Sequence, residues 1–371
     1  MHNVTFFNVG NADSCLIKLK NGRTAMFDFA DMRDPADAKD KRCDLEAELR
    51  DRLGDEKEMD VVAFTHLDRD HTRRATEVFH LDHAKKYQGE GRIRIKTLYV
   101  PAAAILEEGL EDEARIIRQE ARHRLIEGKG VRIFSRPETL DGWLLDHGID
   151  PDTRRNMMSD AGTLCPEFNL AADGMELFVH SPFAEHCTDG TLVIRNDAAI
   201  FMHATFLVEG EKTRMILSAD VTHGVIEDIV RVTRANGNDD RLLWDINNIP
   251  HHCSYLSLSD TKGTEKTVPS ERLKWLYETQ GQVGGLIVST SCEIPHGDST
   301  QPPHRQAANY YKGVAKSKSG SFLVSMETPN TASPKPMEIE IRRTGATLRK
   351  VVLTATGALL GNAAPRAGTP R

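Results

Sequence analysis

The chain has 371 residues, 39% of them hydrophobic, and can therefore bury a large core as one large domain or as one domain with insertions. Its formal net charge of −7 argues against a non-specific DNA-binding protein, which is usually basic, but does not exclude a nucleic-acid substrate. The six cysteines include no C-x-x-C pair, which argues against a disulfide framework and against a structural zinc site. The sequence has no apolar run of about 18 residues, which argues against a membrane span, so we expect a cytoplasmic protein with no membrane association.

The first segments are typical of short strands joined by turns. The stretch Gly10–Asp13 is predicted to be a turn between two strands, and Cys15 in the second strand is predicted to be a small core residue. A charged segment follows at 31–58, which we interpret as an insertion. It should contain one amphipathic helix, because leucines at 45, 49 and 53 recur every four residues.

The stretch His66-Leu67-Asp68-Arg69-Asp70-His71 is the most informative part of the sequence. It places four potential metal ligands in six positions, directly after the apolar run Val61–Phe64. Charged side chains at the end of a buried strand need partners, and a divalent cation can satisfy several carboxylates and imidazoles at once. The alternative is a solvated polar loop that contains these residues by chance.

A second charged segment, near 80–170, is also interpreted as an insertion. A predicted helix near 111–126 carries Arg115, Arg118 and Arg122 on one face. These arginines could form a ridge that binds substrate phosphates. The competing interpretation, which the sequence favours, is a solvated face with Glu–Arg pairs such as Glu111 with Arg115.

Three later apolar segments also end in a potential ligand: they run into His180, Asp220 and the pair His251-His252. The polar ends of strands gather at one edge of an α/β sheet, so these residues can converge although they are distant in sequence. Each has a simpler alternative. Asp220 could cap a helix, and a lone histidine such as His180 is more often structural than a ligand.

Together, these motifs resemble those of metallo-β-lactamase-fold hydrolases, in the branch that includes the hydrolase domain of the competence protein ComEC. The resemblance covers about residues 3–315 in the family's order. The matching segments are Asn8–Ser14, Met26–Ala30, Thr65–His71, Asn196–Ala199, Leu217–Asp220, Ile249–Ser254 and Pro302–Arg305. The resemblance implies a four-layer αββα sandwich with helical insertions, here spanning residues 1–356 as one domain, before a Gly-, Ala- and Pro-rich tail at 357–371 that we expect to be disordered.

The sequence also departs from the family pattern. Asn8 replaces an aspartate, and Ala30, Ala219 and Cys253 replace glycines. We expect the turns to be kept, at a cost for Cys253 if its φ is one that only glycine adopts easily. The family's third-motif histidine is also missing, and His180 is the candidate replacement.

The resemblance implies a centre of two divalent metal ions, zinc or manganese. One ion, in site one, would be held by His66 and Asp68, and the other, in site two, by Asp70, His71 and His252, with Asp220 bridging both. An aspartate at position 68, where many relatives have histidine, shifts the preference towards manganese, whereas the general order of affinity favours zinc. Site one, with fewer ligands, should be the weaker site.

These residues predict a metallo-hydrolase that uses a metal-activated water, most simply a phosphodiesterase or nuclease. Asp70 would both bind metal and orient the attacking water, His251 would face the phosphate, and His304 would protonate the leaving oxygen. The substrate would be nucleic acid or a small phosphodiester. A lactone or thioester hydrolase and a non-catalytic, metal-stabilised regulatory subunit remain alternatives, because fold does not decide chemistry.

Overall fold

The computed structural model describes residues 1–187 and 195–349, and the tail predicted at 357–371 lies outside them. Within these ranges the chain alternates strands and helices. The strands are β1 (His2–Phe6), β2 (Cys15–Lys18), β3 (Thr24–Phe27), β4 (Glu58–Ala63), β5 (Arg94–Pro101), β6 (Val131–Phe134), β7 (Met158–Ser159), β8 (Met175–Ser181), β9 (Phe201–Val208), β10 (Glu211–Leu217), β11 (Trp244–Asn248), β12 (Gly281–Ser289), β13 (Ser321–Val324), β14 (Met337–Arg342) and β15 (Gly345–Leu348).

The described strands form two mixed sheets. The first has the order β15-β14-β1-β2-β3-β4-β5-β6-β7, antiparallel from β15 to β3 and parallel from β3 to β7. The second has the order β13-β12-β11-β10-β9-β8, parallel from β13 to β10 and antiparallel from β10 to β8. Each sheet therefore combines an antiparallel part with a parallel part.

Helices cover the outer faces of both sheets. They are α1 (Leu45–Leu53), α2 (Arg69–Thr72), α3 (Ala75–Val78), α4 (Ala102–Leu106), α5 (Asp112–Glu127), α6 (Glu138–Asp146), α7 (Leu170–Asp173), α8 (His223–Ala235), α9 (Glu271–Lys274) and α10 (Arg305–Ser317). A π-helical turn at Trp275–Thr279 extends α9. The leucines of α1 at 45, 49 and 53 are all buried, as their spacing predicts, and Asp44 caps the helix by accepting a hydrogen bond from the Ala47 N–H.

Three hydrophobic layers hold the fold together. Buried residues of α1, α4, α5 and α6 pack on the outer face of the first sheet. A second layer lies between the sheets, and a third lies between the second sheet and helices α8, α9 and α10. The described residues therefore form a four-layer αββα sandwich, as predicted.

Strand β4 shows why the apolar run before the His66–His71 motif is continuous. Val61 and Ala63 face the second sheet, whereas Val62 faces the helices. Both faces of this parallel strand are buried, so its sequence lacks the alternation of a half-exposed strand. The motif follows where β4 leaves the sheet, at the edge where the parallel strands end.

The segment at 80–170, interpreted from sequence as an insertion, contains β5, β6 and β7, which extend the first sheet beyond β4. Many of its charged residues are exposed, whereas Arg118, Glu120, Arg124 and Arg132 are buried, so this highly charged segment is also part of the packed domain. Across the described ranges, none of the helices combines the length and hydrophobicity that a bilayer-spanning segment needs.

Candidate metal centre

Four side chains from both sheets meet at one edge of the sandwich. Asp70 and His71 lie on α2, just after β4. Asp220 follows β10, and His252 follows β11. One ligand atom from each of these residues lies within 4.8 Å of the others. These are the residues predicted to form site two together with the bridging aspartate.

The separations within this cluster fit a first-row metal ion. The His252 Nε2 atom lies 3.2 Å from Asp70 Oδ2 and 3.5 Å from Asp220 Oδ2, and His71 Nε2 lies 3.4 Å from Asp220 Oδ1. Ligands bound tetrahedrally at about 2.0–2.1 Å from an ion are separated from one another by roughly 3.3 Å. The four side chains could therefore hold one ion with little rearrangement.

Both histidines are oriented by hydrogen bonds on their far side. The His71 Nδ1–H donates to Asp28 Oδ2 at 2.8 Å, and the His252 Nδ1–H donates to the Thr290 carbonyl at 2.9 Å. With the proton on Nδ1, the Nε2 lone pair of each ring points into the cluster. Such outer hydrogen bonds fix the tautomer and the ring orientation of metal-binding histidines.

Asp28 is itself tightly held, directly after β3. Its carboxylate accepts hydrogen bonds from the Thr65 N–H and the Thr65 hydroxyl, each at 2.7 Å, in addition to the one from His71. Its backbone has φ +57°, a left-handed conformation that aspartate and asparagine tolerate better than most residues. The end of β3 thus supports the ligand that follows β4.

The cluster attracts positive charge. Burial alone would lower the pKa of His252, but the Asp220 and Asp70 carboxylates outweigh it and raise that pKa to about 9. Burial likewise opposes a charge on His71, yet Asp28 and Asp220 raise its pKa well above its ordinary value. A divalent cation would satisfy these carboxylates in place of the protons.

Two buried polar atoms of the cluster also lack a partner that a bound cation would supply. His71 Nε2 and Asp220 Oδ1 are buried, and neither has a hydrogen-bond partner among the described residues. Buried polar atoms without a partner are uncommon in folded proteins and call for an explanation such as a bound ion. The donor set, its spacing and these two atoms all fit a metal ion.

The residues predicted for site one are arranged differently. His66 Nε2 lies 3.5 Å from Asp68 Oδ2, and the centroids of the His66 and His71 rings lie 3.9 Å apart, with the ring planes tilted by 51°. No third donor of the described residues joins His66 and Asp68 within the spacing found in the first cluster. Asp68 is instead in close contact with the guanidinium of Arg195, which also pairs with Glu107.

The predicted non-ligand residues lie beside the cluster. His251 Nε2 is 3.9 Å from Asp220 Oδ2, and its buried Nδ1 has no partner among the described residues. His304 precedes α10, and its backbone N–H donates to the Cys253 carbonyl at 3.0 Å, next to the histidine pair. Its Nδ1 accepts a hydrogen bond from the Tyr255 N–H at 3.4 Å, which leaves the proton on Nε2, and burial lowers the pKa of both His251 and His304.

The loops that carry these residues have strained backbones. His251, His252 and Cys253 have φ values of +51°, +51° and +67°, and Ala219 has φ +48°. Left-handed conformations are costly for residues with a Cβ atom. The expected cost at Cys253 is therefore present in the structure, and the strain lies in the two loops that place Asp220 and His252.

The structure does not bring His180 to the cluster. Residues 175, 177 and 179 of β8 face the first sheet, so His180 points towards the helices on the other face. Its Nε2–H donates to the Arg241 carbonyl at 2.9 Å, and its Nδ1 accepts a hydrogen bond from Thr233 of α8 at 3.1 Å. His180 is a satisfied structural histidine, and the interpretation of it as a replacement ligand is corrected.

The predicted arginine ridge on α5 also differs from a phosphate-binding surface. Arg118 donates to the Glu107 carbonyl, and both Arg118 and Arg122 pair with Glu108. Arg122 also donates to the Ile105 carbonyl at 2.8 Å. Only Arg115 is exposed. The interpretation as a face of Glu–Arg pairs is therefore the better one, although the partner is Glu108 rather than Glu111.

The sequence did not single out three residues that shape the centre. Asp13 and Asp28 lie in the quoted motifs, and both are grouped with His71 within 4.8 Å. Burial raises the pKa of Asp13 to about 6, and its N–H donates to the Asp70 carbonyl at 3.0 Å. Arg195 had no distinguishing pattern, because its partners lie 88 and 127 residues away.

The chain matches no protein-family model, and a search of curated proteins finds no similar sequence. Among solved structures, it is similar to the crystal structure of unliganded yeast PDE1. The TM-score is 0.40 and the sequence identity is 10%, over 87% of this chain and 96% of that chain. The likeness is distant.

Proposed function

We propose that the protein is a metal-dependent phosphodiesterase, a metallo-β-lactamase-fold hydrolase of the ComEC type. The observation that carries this proposal is the convergence of Asp70, His71, Asp220 and His252 with ligand-like spacing and with Nε2 lone pairs that point into the cluster. Bound there, a divalent cation would lower the pKa of a water molecule to near neutral and stabilise negative charge on a phosphoryl group.

The residues around the cluster supply the other functions that a hydrolase needs. Asp70 is the only one of the four ligands that is not fully buried, so it borders the solvent side from which water and substrate arrive. Its carboxylate can therefore orient the attacking water as well as bind metal. His251 lies on the same side of Asp220 and is partly exposed, so its ring can donate to a phosphoryl oxygen.

His304 fits the role of proton donor to the leaving oxygen. The hydrogen bond from the Tyr255 N–H to Nδ1 selects the tautomer that is protonated at Nε2. That Nε2 has no partner among the described residues, so its N–H can face the leaving oxygen. Burial lowers the pKa of the ring, so the ring must first take up a second proton, at Nδ1, before it can transfer one from Nε2. A positioned general acid typically contributes about 10²–10⁴-fold to the rate.

A small phosphodiester is the substrate class that we favour over a long nucleic acid. The net charge is −7, and two of the three α5 arginines are already paired with Glu108. A cleft of about 290 Å³ borders the His66–His71 motif. Its lining combines Arg69 and Arg195 with Glu111, Asp112 and Glu113. This mixed lining suits a compact ligand better than an extended polyanion.

The test is a parallel activity panel with manganese and with zinc. The substrates are bis-p-nitrophenyl phosphate, a cyclic dinucleotide, single-stranded DNA, duplex DNA and RNA. We expect cleavage of the small diesters, abolished by chelation and by an Asp70→Ala, His71→Ala double variant. His304→Ala should slow the dinucleotide strongly and spare bis-p-nitrophenyl phosphate, whose leaving group needs no proton. His251→Ala should slow both.

A variant of the exposed His296, His296→Ala, serves as the matched control and should leave all rates unchanged. If DNA or RNA is cleaved faster than the small diesters, the proposed substrate class is wrong, whereas the proposed phosphodiesterase activity is supported. If no phosphodiester is cleaved with either metal, lactones and thioesters become the substrates to test. Metal binding without turnover of any ester would support the regulatory-subunit alternative.

A further inference from the structure

The two predicted metal sites are unequal in the number of donors that the fold brings together. Site two has four residues with mutually close ligand atoms, whereas the described residues provide only His66 and Asp68 at site one. Asp220 cannot easily serve both sites, because its Oδ1 faces His71 and its Oδ2 faces His252. A first-row metal ion needs three or four protein ligands for a stable site, so site one is short of donors.

Arg195 pairs with Asp68, one of the two donors at site one. Its Nη1 is in close contact with Asp68 Oδ1, and the Asp68 side chain is 36% exposed, so the pair lies at the rim of the centre. Arg195 is itself fixed by Glu107, which accepts from its Nε at 3.0 Å and from its Nη2 at 2.8 Å. This fork of planar N–H donors on a carboxylate holds the guanidinium in one position.

The segment that carries Arg195 is attached to the motif on its other side. The Ile200 N–H donates to the Thr65 carbonyl at 3.0 Å, and Asp197 accepts a hydrogen bond from the Thr222 hydroxyl at 2.7 Å. These contacts connect the segment to the loops after β4 and β10. Arg195 is therefore positioned by its backbone as well as by Glu107.

We propose that the protein binds a single metal ion, at site two, and that Arg195 excludes a second ion by holding the Asp68 carboxylate. This inference rests on the proposed metal-dependent function. A second cation at site one would meet the positive guanidinium and would have to share Asp68 with it. Asp68, which stands in a ligand position of the family motif, thus pairs with a side chain of this chain instead.

The experiment measures metal stoichiometry rather than turnover. Chelator-treated protein is dialysed against zinc or manganese, the bound metal is counted by elemental analysis, and affinities are measured by calorimetry. We expect one tight equivalent in the wild type. In Arg195→Gln, which releases Asp68, the affinity for a second ion at site one should exceed that of the wild type by about 10–100-fold, the range over which outer contacts usually act on metal sites, and should stay below the affinity for the first ion. Glu107→Gln, which releases the guanidinium, should give a smaller gain.

Two controls separate this effect from a general change of charge. Arg122→Gln removes another glutamate-paired arginine and should leave one equivalent bound. Asp68→Asn should not change the affinity of the first equivalent, and the Asp68→Asn, Arg195→Gln double variant should lose the gain. Urea unfolding of each variant shows whether it is folded, and Arg195→Met, which also removes the charge and keeps an unbranched side chain, replaces Arg195→Gln if that variant does not fold.

The outcomes distinguish the inference from the function on which it rests. Two tight equivalents in the wild type, or no gain in the affinity for a second ion in Arg195→Gln and in Arg195→Met, would overturn the single-ion proposal and leave metal-dependent hydrolysis standing. No bound metal in the folded wild type at any concentration would instead overturn the proposed function. One equivalent in the wild type, with a gain only when Arg195 or Glu107 is changed, supports both.

Discussion

Asp28→Asn tests whether the residue after β3 orients a metal-binding histidine. The substitution keeps the shape and tolerates the φ of +57°, but it replaces one carboxylate oxygen with an NH₂ group. If that NH₂ faces His71, the ring must accept at Nδ1 and carry its proton on Nε2, where it can no longer bind metal. If it faces the Thr65 N–H, two donors meet and a hydrogen bond of 2.7 Å is lost.

The magnitudes follow from these contacts. Loss of a hydrogen bond to a charged group costs about 1.5–3 kcal/mol of stability. Loss of an outer contact to a metal ligand typically weakens metal affinity about 10–100-fold, or about 1.4–2.7 kcal/mol. We therefore expect Asp28→Asn to lower the urea midpoint and the calorimetric affinity for zinc together.

Asp60→Asn is the matched control, because the Asp60 carboxylate also accepts a backbone hydrogen bond, from Thr24 at 2.9 Å, and pairs with Arg23 and Lys96. Asp60 contacts no residue of the metal cluster. The Asp60→Asn variant should therefore lose a comparable amount of stability and keep the zinc affinity of the wild type. Equal zinc affinities for Asp28→Asn and Asp60→Asn would refute the orienting role of Asp28.

Three further predictions concern stability. Burial lowers the pKa of His180 from 6.5 to about 4. As the pH falls, His180 is therefore protonated in the unfolded chain before it is protonated in the folded protein. The free energy of unfolding should be unaffected by this group above about pH 6.5 and should fall by about 3 kcal/mol between pH 6.5 and pH 4. In urea titrations at several pH values, His180→Gln should flatten this dependence and His296→Gln should not. Cys253→Val should destabilise the protein by more than Cys253→Gly, because a β-branched residue at φ +67° adds strain that glycine removes; the reverse order of urea midpoints would contradict the argument from strain. Leu49→Ala, in the fully buried stripe of α1, should cost about 2–5 kcal/mol in the same assay, and a loss below about 1 kcal/mol would show that α1 packs loosely.

Local patterns were sufficient for single elements and for the strongest motif, whereas the architecture was implied by the resemblance of the motifs to a known family. The apolar run before His66, buried on both faces, and the four-residue spacing of the α1 leucines each follow from one short element whose environment its own sequence reflects. The convergence of Asp70, His71, Asp220 and His252 could be expected for a similar reason, since the ends of parallel strands meet at one edge of a sheet.

His180 shows a signal that was present but easily missed. The alternation of Met175, Leu177 and Val179 places His180 on the opposite face of β8, and this can be seen in the sequence alone. A residue near the end of a strand lies at the edge of the sheet where that strand ends. Whether it faces one side of the sheet or the other depends on its place in the alternation of side chains along the strand. Only the edge was considered when His180 was interpreted as a ligand.

By itself, the sequence determined the strand-end candidate ligands and the buried face of α1, because these depend on hydrophobic periodicity and on chain direction, whereas the sandwich was implied by the resemblance of its motifs to a known family. Only the tertiary structure decided that Arg195 and Glu107 hold Asp68, that Asp28 orients His71, and that the α5 arginines pair with Glu108. These contacts join charged side chains on different elements. Any exposed arginine has many carboxylates within reach in an unfolded chain, and the partner is selected only when the packing of the layers sets the distances between them.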